Sequence, residues 1–347
     1  MLQTVDTQTK PQAGPPTGTP TWQWYQHTFR AMNTNVYARL YSPVAADEIL
    51  VDVQRMFTSF EKTLSRFDPA TELSRLNSSK NAVFAAGPTL IDAVEVALWA
   101  ADMTNGLYDP TILNHLEQAG YDRSFDRITQ LASFQFDCEP PAVTPHPAKS
   151  APFSFRYVQL NRARREIYKP AEVRLDLGGM GKGWTVDRAA DRLQGLGPFL
   201  VNAGGDIFAY QSPPGQKGWA IDLIHPLDPN RFMGQVLLHN QALATSTVAK
   251  RRWQRNGRIQ HHLIDPRTGQ PAQTDALSVT VVAHRTVLAE VLAKVVLILG
   301  VEQGLDYLQR LPGVEGLIFA ADSDISFTAG FEPLLTRLDS RGYGLEQ

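Results

Sequence analysis

The chain has 347 residues, 43% hydrophobic and 20% charged, which is enough for one large or two ordinary domains with an ample core. Its 33 basic and 35 acidic side chains leave a formal net charge of −2, which argues against a nucleic-acid footprint. Cys138 is the only cysteine, so an internal disulfide and a CxxC metal site are both excluded.

Residues 1–21 are rich in Pro, Gly, Thr and Gln and read as a disordered tail. They contain neither a basic n-region nor an apolar h-region, so no signal peptide and a cytoplasmic location are expected. Alternation from Trp22 to Leu40 predicts two strands meeting at a turn around Met32–Asn35. Ala46 to Leu64 is an amphipathic helix, with Ile49, Val53, Met56, Phe57 and Phe60 on one stripe. A second helix covers about Thr89 to Thr104 and stops at Asn105-Gly106. The proline-dense stretch 138–152 reads as a surface linker. Then come a helix over Lys182–Leu193 and strands near 199–202, 206–210, 218–224, 235–238 and 278–283. A helix at 287–299, a shorter one near 302–310 and strands near 315–328 follow, and 336–347 reads as a C-terminal tail. Strands grouped in meanders, with helices between the groups, predict an α+β fold of mixed or antiparallel sheets flanked by helices, with 22–335 as a single domain. No apolar run reaches the length of a membrane span.

The densest chemical signal is RLDLGGMGKGWTVDRAADRL at 174–193. Glycines 178, 179, 181 and 183 would leave backbone N–H groups uncovered at a helix start, where phosphate oxygens bind, and Lys182 adds a point cation. A tight strand-to-helix turn with no ligand is the other reading, and neither the P-loop nor the GxGxxG spacing is present. LVNAGGDIFAY at 200–210 repeats the pattern of strand, Gly204-Gly205 and then Asp206, which equally suits a plain turn. Thr245, Ser246 and Thr247 offer hydroxyls ahead of Lys250, Arg251 and Arg252, a charge run that ordinarily faces solvent. His262 and Asp265, three apart, suit a base and its orienter, or an exposed turn histidine. Phe67 and Tyr108 each precede an Asp-Pro turn; such rings stack on flat ligands or simply pack. Inside the apolar helix VLAEVLAKVVLILG, Glu290 and Lys294 share a face. They read as a rim ion pair, a buried structural pair or part of a site.

Taken in this order, AMNT at 31–34, LSRFDPATELSRLN at 64–77, GLYDPT at 106–111 and DLGGMGKGWTVDRAAD at 176–191 resemble the ApbE family, the FAD:protein FMN transferases. VNAGGDI at 201–207, ATST at 244–247, HHLIDPRTG at 261–269 and the AEVLAK helix ending at Gly300 extend the resemblance over most of the chain. The resemblance implies an α+β ApbE-like fold with an FAD cleft between subdomains. It also implies transfer of FMN from FAD to a threonine hydroxyl of a target protein, with AMP leaving and magnesium assisting at the pyrophosphate. It places FAD contacts at Met32, Phe67, Asp109, Thr111, Asp176, Gly178, Gly179, Lys182 and Asp187. Further contacts fall at Asn202, Gly204, Gly205, Asp206, Thr245, Ser246 and His262, with His262 the implied base beside Asp265.

The sequence departs from the family pattern in three places. Asn33 and Thr247 stand where glycine is usual, adding side chains where backbone would approach ligand. Where the family has an aspartate and a threonine that bind magnesium with a loop carbonyl, this chain has Glu290 and Lys294, and Gly181 supplies the matching carbonyl. A charged lysine has no lone pair to give a metal. One expectation is that Lys294, held by Glu290, replaces the ion and FAD binds without magnesium; the other is that Lys294 swings aside and Glu290 keeps the metal. On the first, transfer would be slow or lost. The implied functions are thus a flavin transferase, a non-catalytic or metal-independent FAD-binding protein, or an FAD pyrophosphatase giving FMN and AMP.

Overall fold

Met32 and Asn33 both take left-handed φ, 52° and 57°, the backbone of a two-residue hairpin turn that asparagine tolerates without glycine. The turn pairs β1 (Gln23–Ala31) with β2 (Thr34–Ser42) from Ala31↔Thr34 onward. Asn33 departs from glycine at little cost, because its side-chain oxygen accepts from Arg30 at 3.0 Å on the outside of the hairpin. The computed structural model describes residues 21–124, 154–250, 252–255 and 258–338. The tail expected at 1–21, apart from its last residue, and the linker expected at 138–152 fall outside the described residues.

Six further strands join the hairpin: β3 (Phe199–Ala203), β4 (Asp206–Tyr210), β5 (Gln241–Thr247), β6 (Ala276–Ala283), β7 (Glu315–Ala320) and β8 (Ile325–Phe327). They pair in chain order from β1 to β8, every neighbour antiparallel, so the sheet is a meander without a parallel pair. All eight residues of β6 are buried, which is why it shows no alternation: the middle of the sheet is covered on both faces. A smaller antiparallel sheet of Trp219–Ile224, Phe232–Leu238 and Leu335–Leu338 packs into the same apolar cluster. Its last strand pairs with Phe232–Leu238, so the domain runs past 335, where the sequence suggested a tail.

The helices are α1 (Asp47–Leu64), α2 (Glu72–Ser78), α3 (Pro88–Met103), α4 (Leu113–Gln118), α5 (Gly181–Leu193), α6 (Thr286–Leu299) and α7 (Val301–Gln309). α1 lies one residue from its predicted start, and α3 stops before Asn105 and Gly106, whose φ values are 50° and 81°. Apart from the face that carries Glu290 and Lys294, α6 is apolar around its circumference because it is buried between two cores. Leu288, Leu292 and Val296 join the sheet cluster, whereas Val287, Val291 and Val295 join the helical cluster of α2 and α3.

The start of α6 is fixed by α5. A Cβ on Gly183 would stand 2.7 Å from the Thr286 carbonyl oxygen, so glycine alone lets the two helices approach this closely. One turn further, the buried Asp187 carboxylate accepts the Thr286 N–H at 2.7 Å and the Val287 N–H at 3.0 Å, capping α6. Asp187→Ala should therefore cost about 3 kcal/mol in urea unfolding, with Asp187→Asn recovering part of it. A loss of only a few tenths would show that the cap is not made.

Candidate active site

A cleft of about 600 Å³ opens between the helical layer and the sheet. On the helical side Asn77 clamps the backbone of Leu175 through two hydrogen bonds, 2.7 and 2.8 Å, and so delivers Asp176 and the glycine turn to the cleft. Asp176 accepts the Gly178 N–H at 2.9 Å and pairs with Arg66 Nε at 2.5 Å. The turn offers a ligand fewer N–H groups than its glycines suggest. Met180 and Gly181 donate to the Leu177 carbonyl, and Gly183 donates to Glu290 Oε2 at 2.8 Å. A backbone carbonyl and two acidic side chains, Asp176 and Glu290, have taken donors that a phosphate loop would keep for its ligand.

On the sheet side the β3–β4 turn needs both of its glycines. Gly204 and Gly205 have φ of 64° and 99°, and a Cβ on Gly204 would lie 2.2 Å from Thr34 Oγ1. Asn202 Oδ1 accepts the Gly205 N–H at 2.9 Å, and Asp206 then enters β4 with its side chain buried. β5 contributes Thr245, whose hydroxyl meets that of Thr280 at 2.9 Å, together with Ser246 and Thr247. Thr247 occupies a usual glycine position without cost, because its hydroxyl donates to the Leu277 carbonyl at 2.9 Å.

The floor of the cleft is a charge quartet. Lys182 Nζ bridges Asp206 Oδ2 and Glu290 Oε1, the latter at 2.6 Å. Lys294 Nζ donates to Glu290 Oε1 and to the Glu290 carbonyl, each at 3.2 Å. Glu290 is 1% exposed, so the rim-pair reading of Glu290 and Lys294 is excluded. Two ammonium groups face two carboxylates, and the quartet is neutral overall. Burial pushes Glu290 up, but Lys182 and Lys294 outweigh it and hold the carboxyl below its ordinary range. Burial and the neighbouring Glu290 carboxylate push Asp206 up to about 6 despite Lys182. Burial pulls Lys294 down, against the attraction of Glu290.

Most sequence-predicted residues line this cleft: Phe67, Asp109, Asp176, Gly178, Gly179, Lys182, Asn202, Gly204, Gly205, Asp206, Thr245, Ser246, His262, Glu290 and Lys294. Five do not. Met32 forms the β1–β2 turn and reaches only the start of α5, its Cε 3.5 Å from where a Gly181 Cβ would be. Thr111 is turned to Asp109, which accepts both its N–H (2.8 Å) and its hydroxyl (2.6 Å). Asp187 caps α6. Asp265 orders its own turn, with both carboxylate oxygens engaged by Arg267 at 2.9 Å. It is a turn organiser rather than the orienter of His262. The Gly181 carbonyl, expected at a metal, accepts the Thr185 hydroxyl at 2.7 Å.

The structure also adds residues. Arg66 is 5% exposed, lies 4.2 Å over the Phe67 ring and 4.7 Å over Tyr121, and its Nη2 has no partner although it is buried. A guanidinium held against two rings, with a donor to spare, suits an anionic or planar ligand. Tyr121 in turn stacks on Trp253 at 5.6 Å, making an aromatic wall to which sequence spacing gives no clue. Of the two readings open for Tyr108, the ring takes the packed one, lying under Gly179 at the cleft wall with its buried hydroxyl unpartnered.

These residues do not suit a magnesium ion, which prefers about six oxygens in near-octahedral array. Both Glu290 oxygens are engaged, and among the described residues no three His, Cys, Asp or Glu side chains form a metal cluster. A dication about 4 Å from a single ammonium would meet roughly 8 kcal/mol of repulsion at an effective dielectric of about 20. Here two ammonium groups lie within 3.2 Å of the same carboxylate oxygen.

His261, next to His262, donates its Nε2–H to the Ala272 carbonyl, 2.9 Å away, while its Nδ1 accepts the Leu263 N–H. Burial lowers its imidazole to about 4. The folded value lies below the ordinary 6.5, so the stability it contributes is complete above pH 6.5 and is lost as pH falls toward 4. His261→Gln should flatten that stretch of the stability–pH curve by on the order of 3 kcal/mol, read from urea midpoints across the range.

The sequence profile of the ApbE family matches residues 32–318. The FAD:protein FMN transferase of Treponema pallidum is 28% identical over 345 residues, covering 91% of this chain and 90% of that protein. That of Vibrio cholerae is 25% identical over 263 residues, with 73% and 74% covered. Among solved structures, the ApbE protein of Thermotoga maritima superposes with a TM-score of 0.75 at 22% identity, over 90% of this chain and 99% of its own. The flavin transferase ApbE of Vibrio cholerae gives 0.73 at 22% identity, over 91% and 100%. This chain belongs to the ApbE family, and its fold is theirs.

Proposed function

We propose that the protein transfers FMN from FAD to a threonine hydroxyl of a target protein. The observation that carries this reading is the cleft itself, where family-matched Asp176, Lys182, Asn202, Asp206, Thr245 and His262 meet between the helical layer and the sheet. The chemistry requires the threonine oxygen to bond to the FMN phosphorus as the pyrophosphate P–O bond breaks, and AMP carries the electron pair away. The threonine proton must go to a base, and among the described residues His262 is the one histidine lining the cleft. Phe67, Tyr121 and the stacked Arg66 suit the isoalloxazine ring, and the Lys182 and Lys294 ammonium groups suit the diphosphate. A purely binding role would leave a base at the cleft unused, whereas water and a threonine hydroxyl would each need one. No helix among the described residues is long and apolar enough to cross a membrane.

The test is incubation of the purified chain with FAD and a substrate domain bearing the acceptor threonine. Mass spectrometry should show one FMN added to the acceptor and one AMP released. Free FMN and AMP without a labelled acceptor would point to hydrolysis instead.

A further inference from the structure

The residue that stands where the family holds its divalent ion is itself a cation. Lys294 reaches from α6 into the cleft with its side chain 13% exposed, and its ammonium is fixed by Glu290 Oε1 and by the Glu290 carbonyl. Its stem passes under the glycine turn, with Cδ and Cε 3.7 and 3.8 Å from where a Gly179 Cβ would be. The ammonium is thus presented beside the turn expected to receive phosphate. The oxygens a metal would need are already engaged: one Glu290 oxygen by two lysines, the other by the Gly183 N–H, and the Gly181 carbonyl by Thr185. The glutamate also has a purpose here that a shorter aspartate would serve less well. Its extra methylene lets one carboxylate reach Lys182, Lys294 and the α5 backbone together.

We propose that this chain binds FAD and transfers FMN without a divalent ion, the Lys294 ammonium being the resident counter-charge for the diphosphate. This rests on the reading of the cleft as an FAD site. Lysine supplies one charge and hydrogen-bond donors, where magnesium would supply two charges and Lewis acidity. The chain therefore trades catalytic power for independence of the metal supply.

The experiment is a fluorescence titration of FAD into the full chain in EDTA and again in excess Mg²⁺, paired with the transfer assay in both buffers. Affinity and rate in the two buffers should agree within about twofold, well short of the tenfold that 1.4 kcal/mol of metal coupling would give. Lys294→Met should weaken FAD binding about tenfold or more, as expected for loss of a charged hydrogen-bond donor. In Lys294→Thr/Glu290→Asp, binding should become dependent on Mg²⁺, with calorimetry detecting the ion. Binding or transfer by the wild type that needs Mg²⁺ would overturn this inference and leave the transferase reading intact. An unchanged affinity in Lys294→Met would overturn it as well. No FAD binding in either buffer would sink the functional reading, and this inference with it.

Discussion

Glu290→Ala should cost about 3–5 kcal/mol of folding stability, among the largest single-residue losses in the chain. The glutamate is 1% exposed, and its removal leaves Lys182 and Lys294 with Asp206 as the one remaining carboxylate of the quartet. It also strips the Gly183 N–H of its acceptor where α5 and α6 touch most closely. Breaking one member of a buried charge group costs more than the group contributes as a whole, because the desolvated partners stay behind. A double-mutant cycle separates the two quantities. Glu290→Gln and Lys294→Met should each destabilise, whereas the double variant restores neutrality and should lie above the sum by about 1–3 kcal/mol. Strict additivity in urea midpoints would mean that the two side chains do not share their charge in solution.

Much of this arrangement is legible in the sequence, and the reasons differ by element. α1, α3, α5 and α6 are long and punctuated by strong stop signals, so their limits fall within one or two residues of expectation. β5 and α2 have no counterpart among the elements the sequence predicts. β5 alternates weakly, because its polar Thr245, Ser246 and Thr247 line a cleft instead of meeting bulk water, and α2 is only about two turns long, capped by Thr71 accepting from Ser74 N–H at 3.1 Å. Glycine turns and family motifs located the cleft, yet a motif does not distinguish a residue that faces ligand from one that holds the scaffold. Asp187 and Asp265 lie inside motifs and spend their carboxylates on α6 and on Arg267. Arg66 and Tyr121 face the cleft, but their partnership is set by tertiary packing that no spacing encodes.

His262→Ala should lower the rate of FMN transfer by about 10²–10⁴, the usual contribution of a positioned base, while the dissociation constant for FAD stays near the wild-type value. His262 follows the Arg258–His261 strand and lines the cleft. A proton acceptor is needed because a threonine hydroxyl is a poor nucleophile until its proton has somewhere to go. Asp206 is the competing acceptor, since burial raises it to about 6, but its Oδ2 is already taken by Lys182. A structural role for His262 would disturb FAD affinity and folding together, whereas a base affects the chemical step alone. Added imidazole should then restore part of the rate in His262→Ala and none in His262→Phe, whose ring fills the space. Near wild-type turnover in the alanine variant would move the proton to Asp206 or to solvent.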